Sequence, residues 1–157
     1  MAMLMVACLA AFTACSGGSE TPADNGGDTK TEESGAAESK GKVETAGNIT
    51  VLVPDGWTLQ PGTAGDSSDE NSCFVMMGSS MSDGYVWVTI SDESTAANSI
   101  AGHKTDEVEP FTVNGIEWSG KDGCFSGTIG DDLYLIMLYG LTHDDANVQA
   151  ILSSLND

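Results

Sequence analysis

Short apolar runs that alternate with polar residues dominate the chain after residue 48, and this period of two predicts β-strands. Turn signals separate the runs: Pro54-Asp55-Gly56 follows the first, and Asn114-Gly115 is the dipeptide that most favours a tight hairpin. Residues 60–71 are rich in Gly, Asp and Ser and are predicted as a loop. The predicted strands are 49–53, 57–60, 72–78, 84–90, 108–113, 116–119, 123–129 and 133–141.

Two segments have helical patterns. The first is predicted to start at Ser91, whose hydroxyl can cap free amides, and to run to Lys104 with a weak apolar face. The second is predicted to start at Thr142, and one of its faces carries Val148, Ile151, Leu152 and Leu155. The resulting order, β-β-β-β-α-β-β-β-β-α, predicts an α+β fold with a largely antiparallel β-sheet and helices packed on it. Because residues 84–90 are apolar on both sides, we expect both faces of the sheet to be covered.

The N-terminal apolar segment is too short to span a bilayer and is typical of a signal peptide. It ends in Phe12-Thr13-Ala14-Cys15, which resembles the lipobox of bacterial lipoproteins, although phenylalanine replaces the usual leucine. The resemblance implies removal of residues 1–14, lipidation of Cys15, and an extracytoplasmic protein anchored to the bacterial cell membrane. The alternative is an ordinary secretory signal in which this cysteine occurs by chance. No basic residue precedes the apolar segment, so we expect the natural signal to begin upstream of Met1.

Residues 15–47 have the composition of an acidic Gly/Ser/Thr/Glu linker. After Cys15 they contain no aromatic residue, and Val43 is the only large aliphatic one, so they bury too little surface to fold. A flexible coil of this length has an end-to-end distance of about 30 Å. The globular domain is therefore predicted to comprise residues 48–157.

Three parts of this domain resemble PsbP-like domains, a family that includes many bacterial lipoproteins. The similar segments are 49–57, which ends in Pro54-Asp55-Gly56-Trp57, the run 113–118, and the closing segment 144–155. The resemblance implies an α-β-α sandwich that acts as a non-catalytic accessory or binding module. It implies no shared catalytic residues and no cofactor.

The charge excludes several classes of partner. The chain has 24 acidic residues against five lysines and no arginine, a net charge of −19. Such a protein repels nucleic acids and lacks the arginines that clamp nucleotide phosphates. Residues 48–157 alone contain 17 acidic residues and two lysines, a net charge of −15. The acidity therefore belongs to the folded surface, and cations or a basic protein face are the expected partners.

The domain contains two cysteines, Cys73 and Cys124, in an exported and oxidising setting. They form either a disulfide or two buried free thiols, and the sequence leaves both open. Zinc binding is not indicated, because these cysteines and the scattered His103 and His143 lack metal-site spacing.

Asp66, Asp69 and Glu70 are weak candidates for a calcium site, because they supply hard oxygen ligands within one predicted loop. The segment lacks the glycine and the distal glutamate of an EF-hand loop, with Asn71 and Met77 in those places. Solvated surface carboxylates are the simpler interpretation.

Candidate catalytic residues are sparse. Ser126 lacks the flanking glycines of a nucleophile elbow, and neither His103 nor His143 has an identifiable triad partner.

Six aromatic residues either line a carbohydrate or peptide groove or fill the cores on the two sides of the sheet: Trp57, Trp87, Trp118, Tyr85, Tyr134 and Tyr139. We therefore expect a membrane-anchored, non-catalytic module that binds a basic protein or envelope partner. The alternatives are a calcium- or cation-binding surface domain and a hydrolase with an unrecognised site.

Overall fold

A computed structural model describes residues 40–64 and 67–155, which form an antiparallel β-sheet protein with two helices. This confirms the predicted α+β class. The strands are β1 (Gly41–Ala46), β2 (Ile49–Pro54), β3 (Thr58–Ala64), β4 (Ser67–Met76), β5 (Tyr85–Ser91), β6 (Glu107–Val113), β7 (Ile116–Lys121), β8 (Cys124–Ile129) and β9 (Asp132–Tyr139). The helices are α1 (Glu93–Gly102) and α2 (Ala146–Ser154), and a short 3₁₀-helix (Met81–Asp83) precedes β5.

Seven strands form one sheet in the order β3-β4-β5-β9-β8-β7-β6, and β1 pairs with β2 in a separate two-stranded sheet. The two edge strands of the large sheet, β3 and β6, contain Pro61 and Pro110, and the register of each shifts beside its proline. Proline and bulges at an edge prevent it from pairing with strands of other molecules. The predicted Asn114-Gly115 turn is confirmed, with positive φ angles of 47° and 79°.

One side of the large sheet, which we call the α2 face, is covered by α2 and the β1–β2 hairpin. The side chains of β2 and α2 pack there against those of the central strands. This core includes Ile49, Val51, Cys73, Val75, Val86, Val88, Trp118, Phe125, Ile136, Val148, Ile151 and Leu152, all fully buried. The hydroxyl of Ser154 also accepts a hydrogen bond from the Leu52 N–H at 2.8 Å, which attaches the end of α2 to β2.

The opposite side, the α1 face, has a much smaller core, in which Ala96 of α1 packs on Cys124 of β8 and Leu135 of β9. Ile100, Leu133 and Met137 are partly buried against this cluster. Neighbouring residues of one strand point to opposite faces, so Cys124 belongs to the α1 face and Phe125 to the α2 face. The two helices therefore lie on opposite sides of the sheet.

Both helices are capped one or more residues later than the sequence predicted. The cap of α1 is Asp92 rather than Ser91, and hydrogen bonds from the hydroxyl and backbone N–H of Thr95 lower the pKa of the Asp92 carboxyl. The cap of α2 is Asp145 rather than Thr142, and its carboxylate accepts from two backbone N–H groups. Carboxylates hold these positions better because they also complement the positive end of the helix dipole.

The domain begins earlier than predicted, because residues 41–46 of the predicted linker form β1. Its six residues pair with all of β2, from Gly41 opposite Pro54 to Ala46 opposite Ile49. The predicted loop over 60–71 is likewise mostly strand, since β3 continues to Ala64 and β4 begins at Ser67. The predicted signal peptide (1–14) and the linker up to residue 39 lie outside the described residues.

Substitution of the glycine in the β1–β2 turn tests whether this hairpin is part of the fold. Gly47 has a φ of 59°, and a Cβ there would lie 2.2 Å from the backbone oxygen of Glu70, which accepts a hydrogen bond from the Asn48 N–H. Gly130 has a similar φ of 62° with open space around it. We expect Gly130→Ala to lower the free energy of unfolding by about 1 kcal/mol and Gly47→Ala by roughly 3 kcal/mol, measured by urea denaturation. Equal losses would show that the hairpin does not pack against β4.

Candidate functional site

The two histidines lie at the β7–β8 turn, where they join three loops. Nδ1 of His143 lies 3.1 Å from Oδ1 of Asp122, and Nδ1 of His103 lies 2.8 Å from the hydroxyl of Thr105. That hydroxyl donates to the backbone oxygen of Asp122, and Gln149 donates to the backbone oxygen of His143. These contacts hold the chain segments before β6, after β7 and before α2 together.

This cluster contains no serine nucleophile. Within the part of the chain that the structure describes, neither histidine is hydrogen-bonded to a serine, and Ser126 lies on β8 opposite Ser119 and Leu135. The imidazole–carboxylate pair is half-exposed, with 29% of the His143 and 36% of the Asp122 side chain accessible. Such a pair stabilises loops weakly. The hydrogen bonds of both histidines thus connect loops of the fold.

Two of the three carboxylates considered for calcium, Asp69 and Glu70, are described by the structure. Asp69 and Glu70 belong to β4, and the Asp69 carboxylate accepts a hydrogen bond from the Asn71 backbone N–H at 2.9 Å. Asp66 lies outside the described residues. Among residues 40–64 and 67–155, no three His, Cys, Asp or Glu side chains are grouped closely enough to hold a metal ion.

The structure has Cys73 and Cys124 as free, buried thiols. Cys73 lies on the α2 face of β4 and Cys124 on the α1 face of β8, with β5 and β9 between them. Three strand spacings separate them by about 14 Å, which is twice the reach of a disulfide. Of the two alternatives left open by the sequence, the structure has the buried free thiols. Burial raises the pKa of the Cys73 thiol to about 12 and also raises that of Cys124.

A small pocket of about 140 Å³ lies at the end of the β1–β2 hairpin. Its lining combines charged and apolar side chains: Lys42, Glu44, Val53, Pro54, Asp55, Gly56 and Trp57. Ligand sites for small molecules usually measure at least about 300 Å³. This pocket is too small and too open to be the main site.

The six aromatic residues singled out from the sequence divide between the core and the surface. Trp118 and Tyr134 belong to the core of the α2 face, and Trp57 is half-buried against it. Tyr85, Trp87 and Tyr139 lie on the α1 face instead, together with Phe74. We call these four residues, Phe74, Tyr85, Trp87 and Tyr139, the aromatic patch.

Direct pairing across β4, β5 and β9 assembles the aromatic patch. Phe74 opposes Trp87, and the two rings stack with centroids 5.6 Å apart; Tyr85 opposes Tyr139, and their centroids are 5.4 Å apart. The rings of Phe74 and Tyr85 meet edge to face at 5.5 Å, which joins the two stacks. Such contacts add about 0.5–1.5 kcal/mol per pair beyond burial, so the patch is rigid. The Trp87 Nε1–H is buried and has no acceptor among the described residues.

The aromatic patch is open because α1 covers only the other half of its face. The helix has ten residues, of which only Ala96 is buried, and it packs on β8 and β9. Phe74, Tyr85 and Trp87 are half-buried, and Tyr139 is 53% exposed. Both faces of the sheet carry a helix, as expected, but α1 leaves the aromatic patch partly exposed.

Apolar exposure concentrates at one end of the aromatic patch. Among the described residues, the exposed large hydrophobic side chains are Val43, Met77, Met81 and Tyr139. Met77 and Met81 lie in the connection between β4 and β5, which places them at the same end of the sheet as Tyr139. Exposed apolar side chains gathered at one end of a sheet are a feature of interaction sites on soluble domains.

Comparisons with known proteins found no match: no family model, no curated protein and no solved structure is similar to this chain. Within the described residues, neither helix has the length and hydropathy needed to cross a bilayer.

Alkylation tests the state of the two thiols. In the native full-length protein we expect Cys73 and Cys124 to resist iodoacetamide at pH 8, because both are buried and burial disfavours the reactive thiolate. After unfolding in urea without reductant, both should be fully modified in a peptide map. Recovery of a peptide that links Cys73 to Cys124 by a disulfide would contradict the structure.

Proposed function

We propose that this protein is a lipid-anchored extracytoplasmic binding module that acts without catalysis and binds its partner through the aromatic patch. The observation that carries the proposal is a set of four interlocked aromatic side chains on a sheet face where the helix stops short; three of them are partly buried and Tyr139 is 53% exposed. Aromatic side chains lose little conformational entropy on binding and contribute most to interface energies.

The proposed location rests on the sequence before the domain. The lipobox-like Phe12-Thr13-Ala14-Cys15 and the acidic segment that follows have the order of a lipoprotein signal, a lipidated cysteine and a linker. A linker of about 25 residues, from Cys15 to β1, gives the domain a reach of roughly 28 Å from the membrane. The aromatic patch would then be presented to other components of the cell envelope.

We also propose that the domain is PsbP-like. Two features support this: Pro54 ends β2 and is followed by Trp57, which packs against the core, and the helices α1 and α2 lie on opposite sides of the sheet. Both features fit an α-β-α sandwich. A PsbP-like domain would act as an accessory or binding module, in agreement with the proposed function.

Lipid anchoring is tested by Cys15→Ser. In cells that produce the full-length protein, we expect the wild type in the membrane fraction and the Cys15→Ser variant in the soluble extracytoplasmic fraction or still carrying residues 1–14. Metabolic labelling with a fatty-acid analogue should mark the wild type alone. Cys8→Ser is the matched control and should change neither result. Membrane retention of an unlabelled Cys15→Ser protein from which residues 1–14 have been removed would contradict the anchor.

Binding through the aromatic patch is tested by photo-crosslinking in intact cells. With p-benzoylphenylalanine at Tyr139, we expect a discrete crosslinked species that is absent when the same group replaces Thr112, an exposed residue of the far edge strand β6. The species should disappear when Trp87→Ala is added. Equal crosslinking at both positions would contradict the site. Turnover of an ester, peptide or glycan that His143→Ala abolishes would contradict the non-catalytic role.

A further inference from the structure

The negative charge of the domain restricts the sign of charge that a partner of the aromatic patch can carry. Within the described residues, the only carboxylate paired with a basic side chain is that of Asp122, which contacts His143. The other carboxylates among the described residues face solvent, cap helices or, at Asp69, accept a local backbone hydrogen bond, and residues 48–157 have a net charge of −15. A charge of this size repels anionic ligands and attracts cationic ones.

The ammonium group of Lys121 is held away from the aromatic patch by backbone oxygens. Lys121, which lies in the same cross-strand row as Phe74, Trp87 and Cys124, donates its ammonium to the backbone oxygens of Ala101 and His103. It is therefore bound to the C-terminal end of α1. At the other side of the patch, Asp83 is exposed in the 3₁₀-helix that leads directly into Tyr85.

The ring of Tyr139 offers a place for a cation. One face of this ring stacks on Tyr85, and the residue is still 53% exposed, so the opposite face is accessible to a ligand. An ammonium or guanidinium group above an aromatic face is attracted by the ring quadrupole. The neighbouring Met77 and Met81 are flexible apolar side chains, which adapt to aliphatic stems.

A saccharide fits this geometry less well. Sugars bind by stacking on broad, open aromatic faces, whereas three of the four rings here are partly buried and Tyr139 alone of the four is exposed. A neutral saccharide is also not attracted at long range by the negative charge of the domain, whereas a cationic ligand is. From the aromatic patch and this charge complementarity, we infer that the occupant is a lysine- or arginine-bearing segment of a partner protein, an inference that rests on the proposed binding function.

The probe is a labelled dodecapeptide in which Lys-Leu-Gly is repeated four times, and its control carries Nε-acetyl-lysine at the same positions. Binding to the full-length protein in a neutral detergent is measured by fluorescence anisotropy. We expect the lysine peptide to bind and the acetylated peptide to bind at least tenfold more weakly. Binding should also weaken as salt rises from 0.02 to about 0.5 M, because exposed charges are screened.

Two pairs of matched variants separate the site from general attraction to an acidic protein. Asp83→Asn and Asp131→Asn remove the same charge, but Asp131 lies in the β8–β9 turn at the opposite end of β9 from Tyr139. We expect Asp83→Asn to weaken binding about two- to fivefold and Asp131→Asn to change it less. Tyr139→Leu should weaken binding by about two- to fivefold, whereas Tyr139→Phe should bind like the wild type. Circular dichroism and thermal unfolding establish that each variant is folded.

Three outcomes overturn the inference. The first is equal binding of the lysine and acetylated peptides, or no binding of either. The second is equal effects of Asp83→Asn and Asp131→Asn together with no effect of Tyr139→Leu. The third is binding of chitohexaose or of phosphatidylcholine vesicles that depends on Tyr139 while the lysine peptide does not bind. In each case, a Tyr139-specific crosslink in cells would leave the proposed binding function intact and refute only the partner chemistry, whereas absence of the crosslink would refute the function itself.

Discussion

The antiparallel pairing of β5 with β9 in the centre of the large sheet determines both the core and the candidate site. Val86 opposes Leu138 and Val88 opposes Ile136, which places four apolar side chains under α2 and the β1–β2 hairpin. The alternate residues of both strands, including Tyr85 opposite Tyr139, point to the other face. A shift of one residue would exchange the two sets. The register that seals the core therefore also builds the aromatic patch, and neither can vary without the other.

The two faces differ because the two helices bury such different side chains. Four residues of α2 are buried, including Ile151 and Leu152, whereas only Ala96 of α1 is. Small side chains let α1 lie close to Cys124 and Leu135, but they do not extend as far as β4 and β5. The aromatic side chains there gain stability from one another instead, through stacks that require no helix. An open face on a stable sheet is the result.

Local patterns were sufficient to predict most strands, the Asn114-Gly115 turn and α2, because alternation, turn chemistry and helix periodicity act within a few residues. They were insufficient for β1, since its polar sequence is exposed along almost its whole length and only pairing with β2 defines it. The sequence also does not assign Phe74 to a face of the sheet. Phe74 lies in a continuous apolar run, which has no alternation to indicate the face each residue occupies. The separation of Cys73 from Cys124 depends on the strand order, which sequence spacing does not encode. The open half of the α1 face likewise depends on where α1 packs.

The strong negative charge of the domain opposes self-association through the aromatic patch. An exposed, rigid aromatic surface beside exposed methionines favours self-association, because burying it against a second copy removes apolar area from water. Two copies, each with a domain charge of −15, repel one another as they approach. That repulsion acts only between like charges, so it disfavours a second copy while it favours a cationic partner. The charge thus keeps the patch accessible by opposing self-association, and it favours cationic ligands over anionic ones at the patch.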